Sequence, residues 1–134
     1  METAEIKKSL LEIAHENFNK WNQALQTKDA KKVAELYSED NTFHPTMSGD
    51  FKFGREGAED YFEHFLLKNP FGEVVEEKIQ SLGENSYLHS GLYNFKIGPA
   101  EKREIAEARF TYVWQKDKDG QWKIIHHHSS AKPK

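Results

Sequence analysis

The stretch AEARFTYVWQKDKDGQWKIIHHHSS, residues 106–130, contains a strand, a turn and a returning strand in that order. Ala108, Phe110, Tyr112 and Trp114 alternate with Glu107, Arg109, Thr111 and Val113, and a period of two puts successive side chains on opposite faces of an extended chain. Asp117, Lys118, Asp119 and Gly120 interrupt the pattern, and Asp-Gly tolerates the positive φ that a tight hairpin needs. On the way back the same parity puts Trp122, Ile124, His126 and His128 on one side, with Ile125 and His127 on the other. The aromatic side is expected to face a core.

Upstream, residues 73–82 and 86–97 read as two more strands of the same meander, and the four long strands become about 73–82, 86–97, 103–116 and 121–129. Gly83-Glu84-Asn85 and Gly98-Pro99 separate them. Gly91, Tyr93, Phe95 and Ile97 share a face, taken as the inner one. Two short extended pieces, residues 42–45 and 51–53, precede them, joined through Ser48-Gly49-Asp50.

The rest reads as helix. From Thr3 to about Gln26, Ile6, Leu10, Ile13, Ala14, Phe18, Trp21, Ala24 and Leu25 recur at steps of three and four, which draws one apolar stripe. Asp29 caps a second short helix whose apolar face is Val33, Leu36 and Tyr37. A third begins near Gly54 and Arg55, carries Ala58, Tyr61, Phe62, Phe65 and Leu66, and must end before Pro70. Helices first and a long antiparallel sheet afterwards predict an α+β domain over residues 1–130, with 131–134 as a free tail.

Composition narrows the function. The 134 residues include no cysteine, which removes disulfides, thiolate metal sites and a cysteine nucleophile. A formal charge of −3 with interspersed signs leaves no basic face for nucleic acid. No run is long and apolar enough for a membrane span, residues 1–11 lack a leader pattern, and no glycine-rich phosphate loop occurs. The expectation is a cytoplasmic protein without cofactor, and without a nucleic-acid or membrane partner.

An inner face built from Trp21, Phe43, Tyr93, Phe95, Phe110, Tyr112 and Trp114, with His126 and His128 at the sheet end, would line an apolar pocket with few polar groups. Arg109, Thr111, Val113, Ile125 and His127 would form the back, too apolar for a face left in water. Pressing it against a second copy in a two-fold dimer removes the difficulty. Arg109 is then expected to pair with Glu107 or with an acid across the contact. His126 and His128, two apart, could share an ion with His44, but no defined ligand set accompanies them, so no metal is expected. Asp40, Asp50 and Glu56 are read as capping or solvated groups.

The run from Ala108 to Trp114, the Asp-Gly turn and Trp122-Lys123-Ile124-Ile125-His126-His127-His128-Ser129-Ser130 resemble the end of the association (hub) domain of calcium/calmodulin-dependent protein kinase II. They are still more similar to its free-standing bacterial relatives in the nuclear-transport-factor-2-like, SnoaL-like superfamily. The likeness extends through Trp21 and Leu25, residues 29–37, Phe43 to Thr46, Tyr61 to Leu66 and Gly91-Leu92-Tyr93-Asn94-Phe95. It implies a cone-shaped fold, a sheet curved around the long helix, a pocket at the wide end, and homodimers that can stack into rings. The kinase hub's pocket carries arginines and a histidine; the arginine positions align with Tyr93, Tyr112 and Ser129, and the histidine with Ala58. Loss of that cation cluster disfavours small organic acids and favours a neutral, partly aromatic ligand.

Two functions follow. The first is a self-assembling hub-like module whose partner is itself and whose pocket takes a small, mostly apolar molecule. The second is a small isomerase, cyclase or hydrolase using Tyr112, Tyr93 and a histidine, His128, as acid and base on a carbonyl or polyketide-like substrate.

Overall fold

The computed structural model describes residues 8–46 and 48–133. Helix α1 (Leu10–Gln26) opens with a capping box: Ser9 Oγ accepts from the Glu12 N–H, and the Glu12 carboxylate accepts from the Ser9 N–H. The part of the expected helix over residues 3–7 lies outside the described residues. Ala14, Phe18, Trp21 and Leu25 form its buried stripe. Lys28, at φ 60°, turns the chain, and Asp29 Oδ1 accepts from the Lys31 N–H to start α2 (Ala30–Ala34).

Here the chain departs from expectation. Helix α2 stops at Ala34, and Tyr37 opens strand β1 (Tyr37–His44) instead of adding to a helical face. The cause is tertiary: the Ile124 N–H donates to Leu36 O at 2.8 Å, and Tyr37 is registered against Ile124, which draws this segment out beside the last strand. Strand β2 (Lys52–Phe53) leads into α3 (Gly54–Phe65) and a 3₁₀ turn (Leu66–Lys68), closed by Asn69 in the left-handed region before Pro70.

Strands β3 (Phe71–Gly83), β4 (Ser86–Ile97), β5 (Glu104–Lys116) and β6 (Trp122–Ala131) complete the domain. Strand β6 takes in Ala131, the first residue of the stretch read as tail. The order is β2-β1-β6-β5-β4-β3, and the sheet is not wholly antiparallel, because β1 runs parallel to β6. The buried residues of the helices share one core with the inward side chains of the sheet, so among the described residues the helices lie on one face and the other has no helix. Among the described residues no helix is long and apolar enough to cross a membrane.

Two bulges shape the sheet. Val75 is the extra residue between Val74, paired with Tyr93, and Glu76, paired with Leu92. Opposite it Gly91 has no tolerance for a side chain, since a Cβ there would stand 1.9 Å from Glu76 O. The second bulge, at Ile125, decides which histidines face inward. The long helix is tied to the far edge by Asn22, whose side chain donates to Gly72 O at 2.9 Å and accepts from the Gly72 N–H at 2.8 Å.

Candidate functional site

The concave side of the sheet is filled with rings. Trp21, on α1, stacks on Tyr93 with planes 12° apart and meets Phe62, Tyr112 and His127 edge-on. His127 lies between two rings, on Phe43 at 4.9 Å and on Tyr112 at 4.1 Å between centroids. Such offset and edge contacts add about 0.5–1.5 kcal/mol each beyond burial.

A single hydrogen-bonded chain threads these rings. Trp21 Nε1 can only donate, and it donates to Tyr37 Oη at 3.1 Å. Tyr37 Oη, 2.8 Å from His127 Nδ1, can donate its proton there, and the tautomer that accepts it carries its own proton on Nε2. His127 Nε2 stands 3.2 Å from Tyr93 Oη, Tyr93 donates to Ser129 Oγ at 2.6 Å, and Ser129 pairs with Thr46 Oγ1. Thr46 O in turn accepts from Tyr61. With the donor-only indole at one end, the order Trp21 to Tyr37 to His127 to Tyr93 to Ser129 gives each of these groups a matching donor or acceptor. Tyr37, Tyr61 and Thr46 were not singled out from the sequence as site residues, the aromatic identity of the two tyrosines being the only signal; Ser129 was, through its alignment with one of the kinase hub's arginines.

Burial sets the charge states. The hydroxyls of Tyr37, Tyr93 and Tyr112 are pushed up by desolvation, with Trp21 and Ser129 offsetting part of this at Tyr37 and Tyr93 respectively. His127 is held well below the ordinary imidazole value, first by burial and then by the neighbouring His126 and His128. The centre is thus neutral: protonated phenols around an uncharged imidazole. Tyr112 Oη has no hydrogen-bond partner among the described residues, so no base is bonded to it.

The bulge at Ile125 corrects the parity reading. Trp114 pairs with Ile124 but Val113 with His126, so one residue is skipped and the alternation inverts. His127 and Ser129 face inward, and His126 and His128, expected to line the pocket, sit on the outer face. His127, expected on the outer face, is buried at 2% exposure. Arg109, Thr111, Val113 and Ile125 do lie on the outer or partly exposed side, as expected. The inward placements of Trp21, Phe43, Tyr93, Phe95, Phe110, Tyr112 and Trp114 hold, all within a closed core.

The catalytic set is divided by this result: Tyr93 and Tyr112 are inside while His128 lies across the sheet, and no carboxylate enters the hydrogen-bonded chain. The outer side instead gathers three imidazoles. His44 lies 4.8 Å from His128 and 5.8 Å from His126 between ring centroids, and Phe51 covers its other side at 5.1 Å. His126 Nδ1 is bonded to Thr42 Oγ1 at 2.7 Å. Among the described residues no group of three donors is arranged to hold a metal ion. Arg109, expected to meet Glu107, reaches only Ser130 Oγ at 3.4 Å among the described residues.

The interior of the cone is nearly filled, and the clefts of ligand size lie outside it. The space among Trp21, Phe43, Tyr93, His127 and Ser129 is about 10 Å³, room for roughly one water. Thr46 and Phe65 border it and two outer clefts. One, of about 350 Å³, is mostly apolar, with Phe95, Ile97, Ile105 and Ala108; the other, of about 270 Å³, is polar, with Asp50, Lys52, Asp60 and His64. The positions aligned with the kinase hub's cations do converge in part: Tyr93 and Ser129 are hydrogen-bonded to each other, while Ala58 is fully buried on α3 with nothing polar to offer.

Comparison with known proteins is consistent across sequence and fold. Residues 11–133 match the family described as calcium/calmodulin dependent protein kinase II association domain. A crystal structure from Xanthomonas campestris named for that association domain is 36% identical, with a TM-score of 0.89 over 100% of this chain and 96% of that one. A nuclear transport factor 2-like superfamily protein from Salmonella enterica superposes with a TM-score of 0.74 at 18% identity, covering 91% of this chain and 90% of that one. A structure from Parabacteroides distasonis named for a ketosteroid isomerase gives 0.72 at 19% identity over 98% and 95%. These last two likenesses concern the fold alone. Among curated proteins, none matches the chain.

Proposed function

The chain belongs to the calcium/calmodulin-dependent protein kinase II association domain family, and from that premise we propose that it is a self-assembling module of the cytoplasm, forming homodimers or larger rings through the helix-free face of its sheet. The observation that carries this reading is the make-up of that face. Leu88, Leu92, Val113 and Ile125 lie there half-buried with no helix over them among the described residues, a poor surface for a lone subunit. Leu88 pairs with Val113, next to the Ile125 bulge, while Leu92 pairs with Arg109 and lies beyond the Ser90–Thr111 pair.

Charge supports a second copy as the occupant. Arg109 has no carboxylate partner within the described residues, yet Glu107 shares its face and Glu76, opposite Leu92, stands on β3 beyond it. A two-fold axis lying in the plane of contact and parallel to the strands would lay the β5–β6 side of one copy over the β3–β4 side of the other and set arginine against glutamate. Sedimentation equilibrium or native mass spectrometry at micromolar concentration tests this. A mass of two subunits or an even multiple is expected; a single-subunit mass overturns it.

A small, mostly apolar ligand is the second part of the reading, and the cleft of about 350 Å³ at the wide end supports it, within the usual range of about 300–1,000 Å³ for ligand sites. The ring-filled interior argues against deeper entry and, with its phenols held protonated, against acid–base chemistry there. Native spectra of freshly purified protein are expected to show a retained small molecule, lost in an Ala108→Trp variant that fills the cleft.

A further inference from the structure

The outer face that the proposed assembly would cover also carries the three clustered imidazoles, and we propose that His44, His126 and His128 make the assembly pH-dependent, with acidification separating the subunits. The inference rests on the assembly reading and adds a control to it. Neutral imidazoles suit a partly apolar contact, because each can exchange hydrogen bonds without carrying charge into a poorly hydrated space. Three cations there would repel one another at ring separations of 4.8 and 5.8 Å, and would have to be dehydrated under the partner.

The groups around the cluster favour loss of charge on association. From β5, Arg109 adds a positive charge beside His128, while Thr111 and Val113, paired with His128 and His126, add none. From β1, Thr42 bonds His126, and from the segment before β2, Phe51 lies against His44. The carboxylates that the strand register puts on that face include Glu107, on β5, and Glu73 and Glu76, on β3, with Lys78 beside Glu76; among the described residues the histidine–carboxylate pairs are His15–Glu77 and His89–Glu77, neither in the cluster. His126 and His128 are both held below the ordinary imidazole value, first by burial and then by positive neighbours, which agrees with the geometry.

The test is the dissociation constant of the intact chain, measured by sedimentation between about pH 8 and about pH 5, with near-ultraviolet dichroism reporting the fold. Kd is expected to rise by at least about tenfold per pH unit lost once the imidazoles titrate, one proton taken up on separation giving that slope. The triple variant His44→Asn, His126→Asn, His128→Asn is expected to stay assembled at the lower pH. If it does not keep the wild-type dichroism, His128→Asn alone carries the test, with a shallower slope expected and an unchanged slope overturning the proposal. Wild-type protein equally assembled at both ends overturns the pH control and leaves the assembly reading intact. A single-subunit mass at about pH 8 defeats the assembly reading itself and the control with it. Dichroism collapsing in step with the mass also overturns the proposal, because unfolding would then be the cause.

Discussion

His127 lies nearly flat on Tyr112, centroids 4.1 Å and planes 20° apart, while His126 and His128, its neighbours in sequence, stand on the opposite side of the sheet. The strand's alternation, with one inserted residue, Ile125, deciding which ring turns inward, produces the division. It gives a run of identical side chains two separate environments: an uncharged centre within a chain of hydroxyls, and a titratable cluster on a face available for contact. The candidate catalytic histidine and the tyrosines it was expected to serve cannot meet for the same reason.

Replacing His127 with Phe keeps the ring stack but removes the partner of Tyr37 and one partner of Tyr93. Loss of about 1–3 kcal/mol is expected in urea titration at mildly alkaline pH. The pH dependence should change too. Burial lowers the folded-state value of His127 below 6.5, so the unfolded chain binds the extra proton and stability falls as pH drops through and below that value. The slope from one such group reaches about 1.4 kcal/mol per pH unit. His127→Phe should flatten the acid limb without abolishing it, because His89 is also depressed, chiefly by burial, with Glu77 opposing. An acid limb as steep as the wild type's would remove His127 from this account.

Asn22 holds the start of β3 through both polar atoms of its amide, so Asn22→Leu strands a buried carbonyl and a buried N–H of Gly72. A cost of about 2–4 kcal/mol is expected, since each unsatisfied group contributes about 1–3. Asn22→Asp should retain the bond from Gly72 N–H and lose the other, falling between the two; hydrogen exchange at Gly72 reads the difference directly.

Gly91→Ala should be among the most damaging single changes, although it adds one methyl group. The new Cβ would stand 1.9 Å from Glu76 O and 2.8 Å from Glu77 Cα, both belonging to backbone in the adjacent strand. Relief requires parting β3 from β4 at the Val75 bulge, and about 3–5 kcal/mol, or failure to accumulate folded protein, is expected. Gly49→Ala, with nothing within 4 Å of the added carbon, is the control and should be near neutral.

Much of the architecture was legible because local signals agreed with it. Asp119-Gly120 placed the last turn, Pro70 bounded the third helix, and the alternations from Gly91 to Ile97 and from Ala108 to Trp114 assigned Tyr93 and Tyr112 inward together with their neighbours. The failures arose where pairing partners decide. Nothing local distinguishes Tyr37 as a helical residue from Tyr37 as the first residue of a strand parallel to β6. Nor does parity survive Ile125, because a bulge is fixed by the opposing Val113 and Trp114 and leaves no mark in the run of histidines. The hydroxyl chain from Tyr37 to Thr46 joins residues up to 90 positions apart and depended on that same inversion.

Val113→Asp probes the assembly face without touching the core. Val113 is half-buried, pairs with Leu88 on one side and His126 on the other, and points away from the helices, so within one subunit an aspartate there can reach water. Beneath a second copy it would bring a desolvated charge into the aliphatic patch, where uncompensated burial costs several kcal/mol, and a weakening of self-association of at least about hundredfold is expected. Circular dichroism and the urea midpoint of the isolated subunit should change little. Lys118→Asp, in the exposed β5–β6 turn, introduces the same side chain away from the patch and should leave the mass unaltered. If Val113→Asp sediments as the wild type does while Lys118→Asp does not, the contact lies at the hairpin end and the sheet face is free.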